Sequence, residues 1–496
     1  MNSINIHSGD AVKWAKAYKG EKFHALFCDA PYHLTSIVKR FGNEDSAPAK
    51  KGVYSRSSKG FMGKTWDGGD VAFQVETWKA FKRVLYDGAF GMCFASSRGW
   101  HRLAVAIEDA GFIIHPSMFG WCYGSGFPKA TNIAKQLDNT YGKQSKARNF
   151  AGKGERKDLH ENKQDLSLRS DYGYVYEPQT DLAHAWQGHR YGLQALKPAL
   201  EPIIVFQKPY KGRPLDNITQ TGAGALNIDA SRIGVDSIPS NRWTDSAHPF
   251  GNGAGNEYET VASQGRWAAN FFVDDLTAEK LDEQAGYLVS GGKAGKQYFY
   301  DKEYNATVPY APMNQTGILH SDEGGASRFF FNVSTQLDEA DPVYYCAKAG
   351  REERDGGLDN FQKRKYAVLN SMGDNPPAGI DDVSERFTTE GRNSHPTVKP
   401  IDLCEYLSKI LLPPALYAPR RMFVPFAGVA SEMIGAMLAG WEEIEGVELT
   451  DEYLPIAKAR IDYWKAKPKQ LAMFERVRNV EQVTIEHEQM RMEFYG

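Results

Sequence analysis

Short apolar runs alternate with helical patterns at both ends of this chain but not in its middle. Of the features of the sequence, this pattern restricts the possible folds most. Near the amino end, apolar runs cover 4–6 and 24–28, helical periodicity follows over 70–86, and a further strand is expected to open at 112–114 and run towards Trp121. Near the carboxyl end, runs over 421–425 and 443–448 alternate with helices predicted over 431–439 and 451–465. Each end has too few strands to cover both faces of its own sheet. The sequence therefore predicts one α/β domain, a doubly wound and mostly parallel sheet assembled from both chain ends.

The domain boundaries follow from a change in composition. From 209 to 392, small polar and aromatic residues are interspersed with few periodic segments, which predicts an irregular α+β domain. This domain separates the two halves of the sheet domain, 1–208 and 393–468. The polar stretch 139–185 predicts a loop or mobile insertion, and 469–496 predicts a charged tail. Two separate small α/β domains are the alternative.

Bulk properties exclude some classes of protein. The 496 residues carry a net charge of −3, which argues against a globally basic nucleic-acid binder, although basic clusters over 143–157 and 197–213 can bind phosphates locally. The commoner explanation of such clusters is a solvated loop. A signal peptide and a run of about 18 apolar residues are both lacking, so we expect a cytoplasmic protein without a membrane span. Five scattered cysteines predict neither a disulfide framework nor a metal site.

A carboxylate follows directly on the apolar run at 24–28. Asp29-Ala30-Pro31-Tyr32 begins there, and Pro31 prevents the strand from continuing. In open α/β sheets, ligands bind at the carboxyl ends of the strands. Asp29 and a main-chain carbonyl of Ala30 or Pro31 can accept the hydrogens of an exocyclic amine. The Tyr32 ring can stack on the face of a base, although an ordinary strand-end turn is the alternative.

A second candidate ligand site follows the run at 421–425. Pro425-Phe426-Ala427-Gly428 forms a tight turn before a predicted helix, whose free N–H groups and nearby glycine allow a ligand to approach. Glu448 ends the next strand about twenty residues later, where an acid accepts hydrogen bonds from ribose hydroxyls. The pattern fits an adenosine-type cofactor without specifying which. A structural glycine turn and a surface glutamate are the alternative.

A proline-flanked segment, His395-Pro396-Thr397-Val398-Lys399-Pro400, precedes the helix predicted from about 400 to 412. The prolines favour an extended approach to that helix. Thr397 and Lys399 can meet a carboxylate of the cofactor. The alternative is a stiff linker that closes the inserted domain.

At these residues the chain resembles the β-class, permuted DNA amino-methyltransferases that use S-adenosylmethionine. Their catalytic Asp-Pro-Pro-Tyr is similar to 29–32, their Asp-Pro-Phe-x-Gly-Ser-Gly is matched in part over 424–430, and their His-Pro-Thr-x-Lys-Pro is intact at 395–400. The order of the motifs along the chain is also that of the class. Further stretches resemble its phage and bacterial members, at 60–67, 123–129, 195–202, 222–229 and 265–270.

Three positions depart from the motifs of the family. Ala30 replaces the first proline of the catalytic motif but keeps the main-chain carbonyl that the motif requires. Val424 and Ala430 replace the leading aspartate and the second glycine of the cofactor motif. The last two replacements bear on the affinity for the cofactor and not on the fold.

The resemblance implies a Rossmann-like methyltransferase sheet and methyl transfer from S-adenosylmethionine to adenine N6 of a flipped-out base, because Asp29 favours adenine where cytosine-N4 enzymes usually carry serine. The catalytic residues it implies are Asp29, Ala30, Pro31 and Tyr32. The cofactor-binding residues it implies are Asp10, Cys28, Thr397, Lys399, Pro425, Phe426, Ala427, Gly428, Glu448 and Leu449. The DNA-binding candidates are Lys64, Trp66, Arg266 and Arg328.

The implied partner is double-stranded DNA, recognised by 209–392 and by the loop 35–69. A site-specific enzyme of a bacterial or phage-infected cell is expected, associated with the nucleoid, with a homodimer and a cognate restriction enzyme left open. The alternatives are a cytosine-N4 methyltransferase and a DNA-binding relative with a weakened cofactor loop. Methylation of RNA or of protein glutamine is disfavoured, because those families carry the cofactor motif first. The whole interpretation requires Gly428 and Asp29 to share one cleft.

Overall fold

The computed structural model describes most of the two chain ends and part of the middle. The described residues are 3–31, 70–124, 129–142, 147–149, 174–196, 198–243, 258–290, 298–301, 306–309, 322–333, 351–367, 388–395 and 398–467.

Over these residues the strands, in chain order, are β1 Ser3–Ser8, β2 Phe23–Asp29, β3 Leu85–Phe94, β4 Ile113–Ile114, β5 Phe119–Cys122, β6 Lys129–Asn132, β7 Ala147–Asn149, β8 Tyr174–Tyr176, β9 Arg190–Gln194, β10 Leu200–Gln207, β11 Ile233–Trp243, β12 Tyr258–Arg266, β13 Phe271–Asp274, β14 Leu288–Ser290, β15 Tyr298–Asp301, β16 Ala306–Pro309, β17 Asp322–Gly324, β18 Phe331–Val333, β19 Arg364–Ala367, β20 Thr388–Gly391, β21 Arg421–Pro425 and β22 Glu443–Glu448. The helices are α1 Ala11–Ala17, α2 Val75–Val84, α3 Trp100–Asp109, α4 Ile133–Thr140, α5 Asp181–Ala185, α6 Pro214–Thr221, α7 Asp275–Ala285, α8 Arg351–Asp355, α9 Ile401–Leu411, α10 Ser431–Ala439 and α11 Leu454–Ala466. Short 3-10 turns cover Val71–Phe73, Asp229–Ser231, Ala326–Phe329, Ala415–Tyr417 and Asp451–Tyr453.

One large sheet combines strands from both chain ends. Its order is β1-β22-β21-β2-β3-β10-β5-β13-β18, and β4 pairs with β10. Neighbours in this sheet are parallel, except that β10 runs antiparallel to β3, β4 and β5. The predicted mostly parallel sheet from both ends of the chain is therefore confirmed.

Both faces of the sheet are covered, because side chains of a strand alternate between its faces. In β2, Ala25 and Phe27 belong to one buried cluster, whereas Leu26 and Cys28 belong to another. Helices α9 and α10 pack into the first cluster, and α2 and α3 pack into the second. This arrangement confirms the doubly wound fold.

Two predicted elements differ from the structure. The helical pattern over 70–86 stops at Val84, because β3 begins at the next residue and adds a neighbour to β2. The strand expected to run from 112 towards Trp121 is divided into β4 and β5. Pro116 lies between them, and its missing N–H cannot join the ladder.

Part of the range expected to form the inserted domain extends the main sheet. Strand β13 pairs with β5, and β18 pairs with β13. These pairings cover the edge of β5, which carries the buried Trp121 and would otherwise offer unpaired backbone groups. Helix α6 is also tied to β3, since Asn217 Nδ2 donates to the carbonyl of Asp87 at 3.0 Å. Strands β11 and β12 form a separate hairpin.

Candidate active site

The predicted catalytic carboxylate lies at the carboxyl edge of the sheet, defined here as the edge where the parallel strands end. Asp29, the last residue of β2, is in register with Phe94, the last residue of β3. Phe94 in turn pairs with Ile203 of the antiparallel β10. Because β10 runs in the opposite direction, its first residues lie at this edge too. Glu201 is therefore brought close to Asp29.

A buried triad of Asp29, Lys399 and Glu201 occupies this position. Lys399 Nζ is 2.5 Å from Asp29 Oδ2 and 3.0 Å from Glu201 Oε1. It also lies 4.8 Å from the centroid of the Phe94 ring. Burial opposes the charge on Lys399, but the two carboxylates outweigh it and raise the pKa of the ammonium. The triad therefore holds a charged lysine inside the fold.

The segment before α9 delivers Lys399 to this place. Val398, Lys399 and Pro400 are all buried. Pro400 is the N-cap of α9 with φ −59° and ψ 132°, so the chain that carries Lys399 enters the helix in a non-helical conformation. The N–H of Ile401 donates to Glu353 Oε1 at 2.8 Å, which fixes the start of the helix.

A third acid near Lys399, the buried Glu432, lies in the first turn of α10. Burial, followed by the charge of Asp29, raises the pKa of Glu432 to about 7, while Lys399 opposes the rise. Arg460 of α11 is fully buried nearby and donates to the carbonyls of Glu353 at 2.7 Å and of Val429. A layer of buried charge thus lies beneath the carboxyl edge.

The turn between β21 and α10 has an unusual backbone. Phe426, Gly428 and Ala430 have φ values of 60°, 52° and 69°, all in the left-handed region. The N–H of Ala427 donates to the carbonyl of Val447 at 2.9 Å and ties the turn to β22. A Cβ on Gly428 would lie 3.0 Å from His395 Nε2. Glycine is therefore required at 428 by conformation and by space.

Glu448 closes the other side of this turn. Its Oε2 accepts from the N–H of Gly428 at 2.8 Å, and its Oε1 accepts from the N–H of Thr450 at 2.7 Å. Burial raises its pKa, and these N–H bonds oppose the rise. Asp10 lies two residues after the neighbouring strand β1 and caps α1 by accepting from the N–H groups of Val12 and Lys13 at 2.8 and 2.9 Å. Asp10 and Glu448 thus lie at the ends of adjacent strands.

The two motif regions lie on adjacent strands of one sheet. Strands β2 and β21 pair in parallel, with Ala25 opposite Met422 and Leu26 opposite Phe423. Asp29 and the turn that contains Gly428 therefore leave the same edge side by side. This is the juxtaposition that the sequence interpretation requires.

Other predicted site residues lie elsewhere or outside the description. The Cys28 side chain is fully buried in the cluster on the opposite face, with its Sγ 3.5 Å from Cys93 Sγ, so only its main chain can meet a ligand. Leu449 is 59% exposed. Three predicted residues are buried or half-buried beside the strand ends, namely Ala30, Pro31 and Pro425. The predicted residues outside the described ranges are Tyr32, Lys64, Trp66 and Thr397.

The two described DNA-binding candidates are not brought to Asp29. Arg266 and Arg328 precede β13 and β18, so they lie at the amino ends of these strands, opposite the carboxyl edge. Arg328 Nη1 donates to the carbonyls of Gly324 and Gly325 at 2.7 and 2.6 Å. Both guanidinium groups also lie against the Phe329 ring.

Sequence reasoning missed Glu201 and Glu432. Each is an acid within an apolar segment, Leu200-Glu201-Pro202-Ile203-Ile204 and Ser431-Glu432-Met433-Ile434. A charged side chain in such a segment is buried only when it is paired or neutralised. That pattern is the signal by which they could have been found. Within the described ranges, no three His, Cys, Asp or Glu side chains are placed to hold a metal, and no helix is long and apolar enough to cross a membrane.

Comparison with known proteins gives one match in sequence and several in structure. No protein-family model matches the chain. Over 242 residues it is 26% identical to the type II methyltransferase M.HindIII of Haemophilus influenzae, a match that covers 45% of this chain and 64% of that protein. The chain therefore spans less than two thirds of the length of this curated relative.

The similar solved structures are distant. A complex of M1.HpyAVI with SAM has a TM-score of 0.32 and 11% identity, covering 92% of this chain and 99% of that chain. The PvuII DNA methyltransferase, described as cytosine-N4-specific, has a TM-score of 0.36 and 10% identity, covering 97% and 91%. With TM-scores below 0.5, these likenesses support no conclusion about this chain.

Proposed function

We propose that this chain is a DNA methyltransferase that transfers the methyl group of S-adenosylmethionine to adenine N6 of double-stranded DNA. The observation that carries the proposal is the placement of Asp29 beside the turn at Gly428, on adjacent parallel strands. One edge thereby combines an acceptor for an amine with a backbone suited to a nucleoside cofactor. The sequence similarity to M.HindIII supports the same class of activity.

The residues of the turn fit an adenosine-type cofactor. A carboxylate has about four acceptor positions, and the two N–H groups that bind Glu448 leave capacity for ribose hydroxyls. Gly428 presents its backbone without a side chain, and Phe426 and Ala427 flank it. Asp10, after the neighbouring strand, is proposed to accept a hydrogen bond from the adenine amine. When bound, S-adenosylmethionine supplies an activated methyl group.

Asp29 prepares the amine of the target base. The N6 lone pair is delocalised into the ring, so the amine is a poor nucleophile. A hydrogen bond from N6 to the Asp29 carboxylate favours a more tetrahedral nitrogen and offsets the positive charge that grows on it. The base must leave the duplex to reach this edge, because N6 is otherwise paired. Tyr32, next to Pro31 in the sequence, is proposed to stack on it, for about 1–3 kcal/mol.

Recognition of the DNA sequence is assigned to 209–392 and to the loop 35–69. The described part of 209–392 includes the hairpin β11–β12, which stands outside the main sheet. Exposed Trp267 lies beside Arg232, with the guanidinium 5.3 Å from the ring centroid. Paired arginine and aromatic side chains suit contacts with phosphates and bases.

The test is to express the chain in cells that lack DNA methylation and to sequence their DNA by a modification-sensitive method. We expect N6-methyladenine at one recurrent sequence, confirmed by mass spectrometry of the nucleosides. Cells expressing Asp29→Ala are the control and should contain none. N4-methylcytosine instead would overturn the choice of base but keep the reaction class. Unmodified DNA, together with no binding of S-adenosylmethionine to the purified chain, would overturn the proposal.

A further inference from the structure

Glu201 is a buried acid to which the motifs assign no role. Its side chain is 5% exposed, and Lys399 Nζ lies 3.0 Å from its Oε1. It occupies the start of β10, opposite Trp121 in the antiparallel pairing with β5. Burying a carboxylate is energetically costly unless the carboxylate is paired. Its partner here is the ammonium that also binds Asp29.

An ammonium between two carboxylates can shift its pairing from one to the other. In this structure Lys399 Nζ is closer to Asp29, at 2.5 Å, than to Glu201, at 3.0 Å. An amine that donates to Asp29 shares the carboxylate charge with the ammonium, so the bond from Lys399 to Asp29 Oδ2 becomes weaker. Without a second carboxylate, this would leave a buried ammonium short of counter-charge.

We infer that Glu201 is a positioning residue for methyl transfer, which takes over the Lys399 ammonium when Asp29 accepts the target amine. Lys399 then serves Asp29 and does not bind the carboxylate of the cofactor. The inference rests on the proposed function, because Asp29 is the group that touches the amine. It adds two residues, from β10 and from the segment before α9, to the machinery of that site.

The other groups around Lys399 do not replace Glu201. Glu432 of α10 is the third acid that acts on the ammonium, and Cys404 of α9 is also close enough to interact with it. Burial and the charge of Asp29 raise the pKa of Glu432 to about 7, so near neutral pH it carries only part of a charge. Burial raises the pKa of Cys404 well above its usual value, so its thiol stays neutral.

The first test compares single-turnover methyl transfer by Glu201→Gln and the wild-type chain, with tritiated S-adenosylmethionine and unmethylated genomic DNA. Glu201→Gln removes the charge of the side chain and keeps its shape. It should slow transfer by about 100-fold, which is the size of effect that misplaced catalytic groups produce. Binding of S-adenosylmethionine, measured by calorimetry, should stay within about threefold of wild type, which is below 1 kcal/mol. Glu201→Asp keeps the charge and should recover part of the rate.

The matched control is Glu442→Gln. It also removes a carboxylate from a partly buried ion pair, with Arg420, but at the amino ends of the strands. Its rate of transfer should equal that of the wild-type chain. If Glu201→Gln keeps more than half of the wild-type rate, or if Glu201→Asp is no faster than Glu201→Gln, the inference is wrong.

The second test uses Lys399→Met and the pH dependence of transfer. Without the ammonium, the charges of Glu201 and Glu432 act on Asp29 with no opposition from Lys399, so the loss of activity at low pH should begin about 1–3 pH units higher. Binding of S-adenosylmethionine should persist. A variant that binds S-adenosylmethionine about tenfold more weakly, yet transfers at the wild-type rate when saturated, would show that Lys399 is a cofactor ligand and overturn the inference.

Failure of the proposed function is distinguishable from failure of the inference. If the wild-type chain transfers no label, the proposed function is contradicted, and urea unfolding then decides the role of Glu201. Asp29→Asn and Glu201→Gln are measured singly and together. If both acids share one ammonium, the double variant should lose more stability than the two single variants lose together. The excess should be at least about fivefold in the unfolding equilibrium constant. Additive losses would overturn the sharing.

Discussion

The two edges of the central sheet bury their charged side chains to different depths. At the amino edge, where the parallel strands begin, Arg420 pairs with Glu442, and their side chains are 14% and 27% exposed. At the carboxyl edge, Lys399 and Asp29 are 4% and 14% exposed, and Lys399 also binds the buried Glu201. Ion pairs in contact with water contribute little to stability, about 0–1 kcal/mol. Buried charges cost much more to desolvate, so their retention points to a functional role.

The backbone conformation also differs between the two edges. At the amino edge, the left-handed residue after α10 is Gly440, which adopts φ 106° without a side chain to strain. At the carboxyl edge, Phe426 and Ala430 have φ values of 60° and 69° although neither is glycine. Such conformations persist only when the surrounding structure imposes them, and they cluster at binding sites.

The largest expected difference between the edges concerns activity. Asp29→Ala removes the acceptor of the target amine and should lower the rate of methyl transfer by about 1000-fold, comparable to removing a group that stabilises charge in a transition state. Glu442→Gln at the amino edge should leave the rate unchanged. Radiolabel transfer with both variants checks this, and S-adenosylmethionine should still bind to each. A fast Asp29→Ala enzyme would remove the functional distinction between the edges.

The pH dependence of stability should separate the edges next. At the carboxyl edge, burial raises the pKa of Glu432 from 4.5 to about 7, so the folded chain holds a proton that the unfolded chain releases. Its contribution is present below pH 4.5 and is lost as the pH rises through 7. Glu432→Gln should therefore raise the free energy of unfolding at high pH, by up to about 3 kcal/mol, and change it little at low pH.

His24, at the amino edge, should change the stability with pH in the opposite direction. Burial and the charge of Arg421 lower its pKa from 6.5 to about 4, so its contribution is present above pH 6.5 and is lost as the pH falls towards 4.

Urea unfolding of wild type and Glu432→Gln across this range checks the Glu432 prediction. An equal shift at every pH would mean that Glu432 is not the titrating group.

Glycine replacements should show a smaller difference. Gly428→Ala and Gly440→Ala both place a side chain at positive φ, and each should cost about 1–2 kcal/mol of stability. Only Gly428→Ala also places a Cβ 3.0 Å from His395, inside the proposed cofactor turn. We therefore expect about tenfold weaker binding of S-adenosylmethionine for that variant alone. Similar affinities for the two variants would argue against the cofactor assignment of the turn.

The smallest expected effect is at Ala430. Ala430→Gly should relieve the left-handed strain of about 1 kcal/mol, but the greater freedom of glycine in the unfolded chain offsets part of this gain. The lost burial of the methyl group offsets the rest, so the free energy of unfolding should stay within about 0.5 kcal/mol of the wild-type value. Chemical denaturation measures it. A clear loss of stability would show that the methyl group of Ala430, which is fully buried, contributes more by packing than it costs by conformation.

Elements that depend on local interactions were predictable from the sequence, whereas those that depend on distant parts of the chain were not. The helix Ser431–Ala439 and the strand Glu443–Glu448 were predicted with the bounds that the structure has, because apolar period and a flanking glycine are local signals. The division of one expected strand into β4 and β5 was missed, although Pro116 was a local signal for it. The pairing of β13 with β5 was also missed, since nothing near 271–274 indicates its partner.

Within the site, the same distinction applies. Asp29 and Gly428 were recognisable because each follows an apolar strand at a turn, and parallel strands end at the same edge. The partner of Asp29 was not recognisable. Lys399 is 370 positions away in the chain, and it precedes α9, which packs in the same buried cluster as β2 and β10.

By itself the sequence determined the type of sheet, its assembly from both chain ends and the acid and glycine turn at its strand ends. These features depend on side-chain periodicity and turn chemistry, which act over a few residues. Only the tertiary structure decided that Lys399 is shared by Asp29 and Glu201, and that Arg266 and Arg328 lie at the opposite edge. The order and direction of strands place such residues, because they bring together parts of the chain that carry no local record of each other.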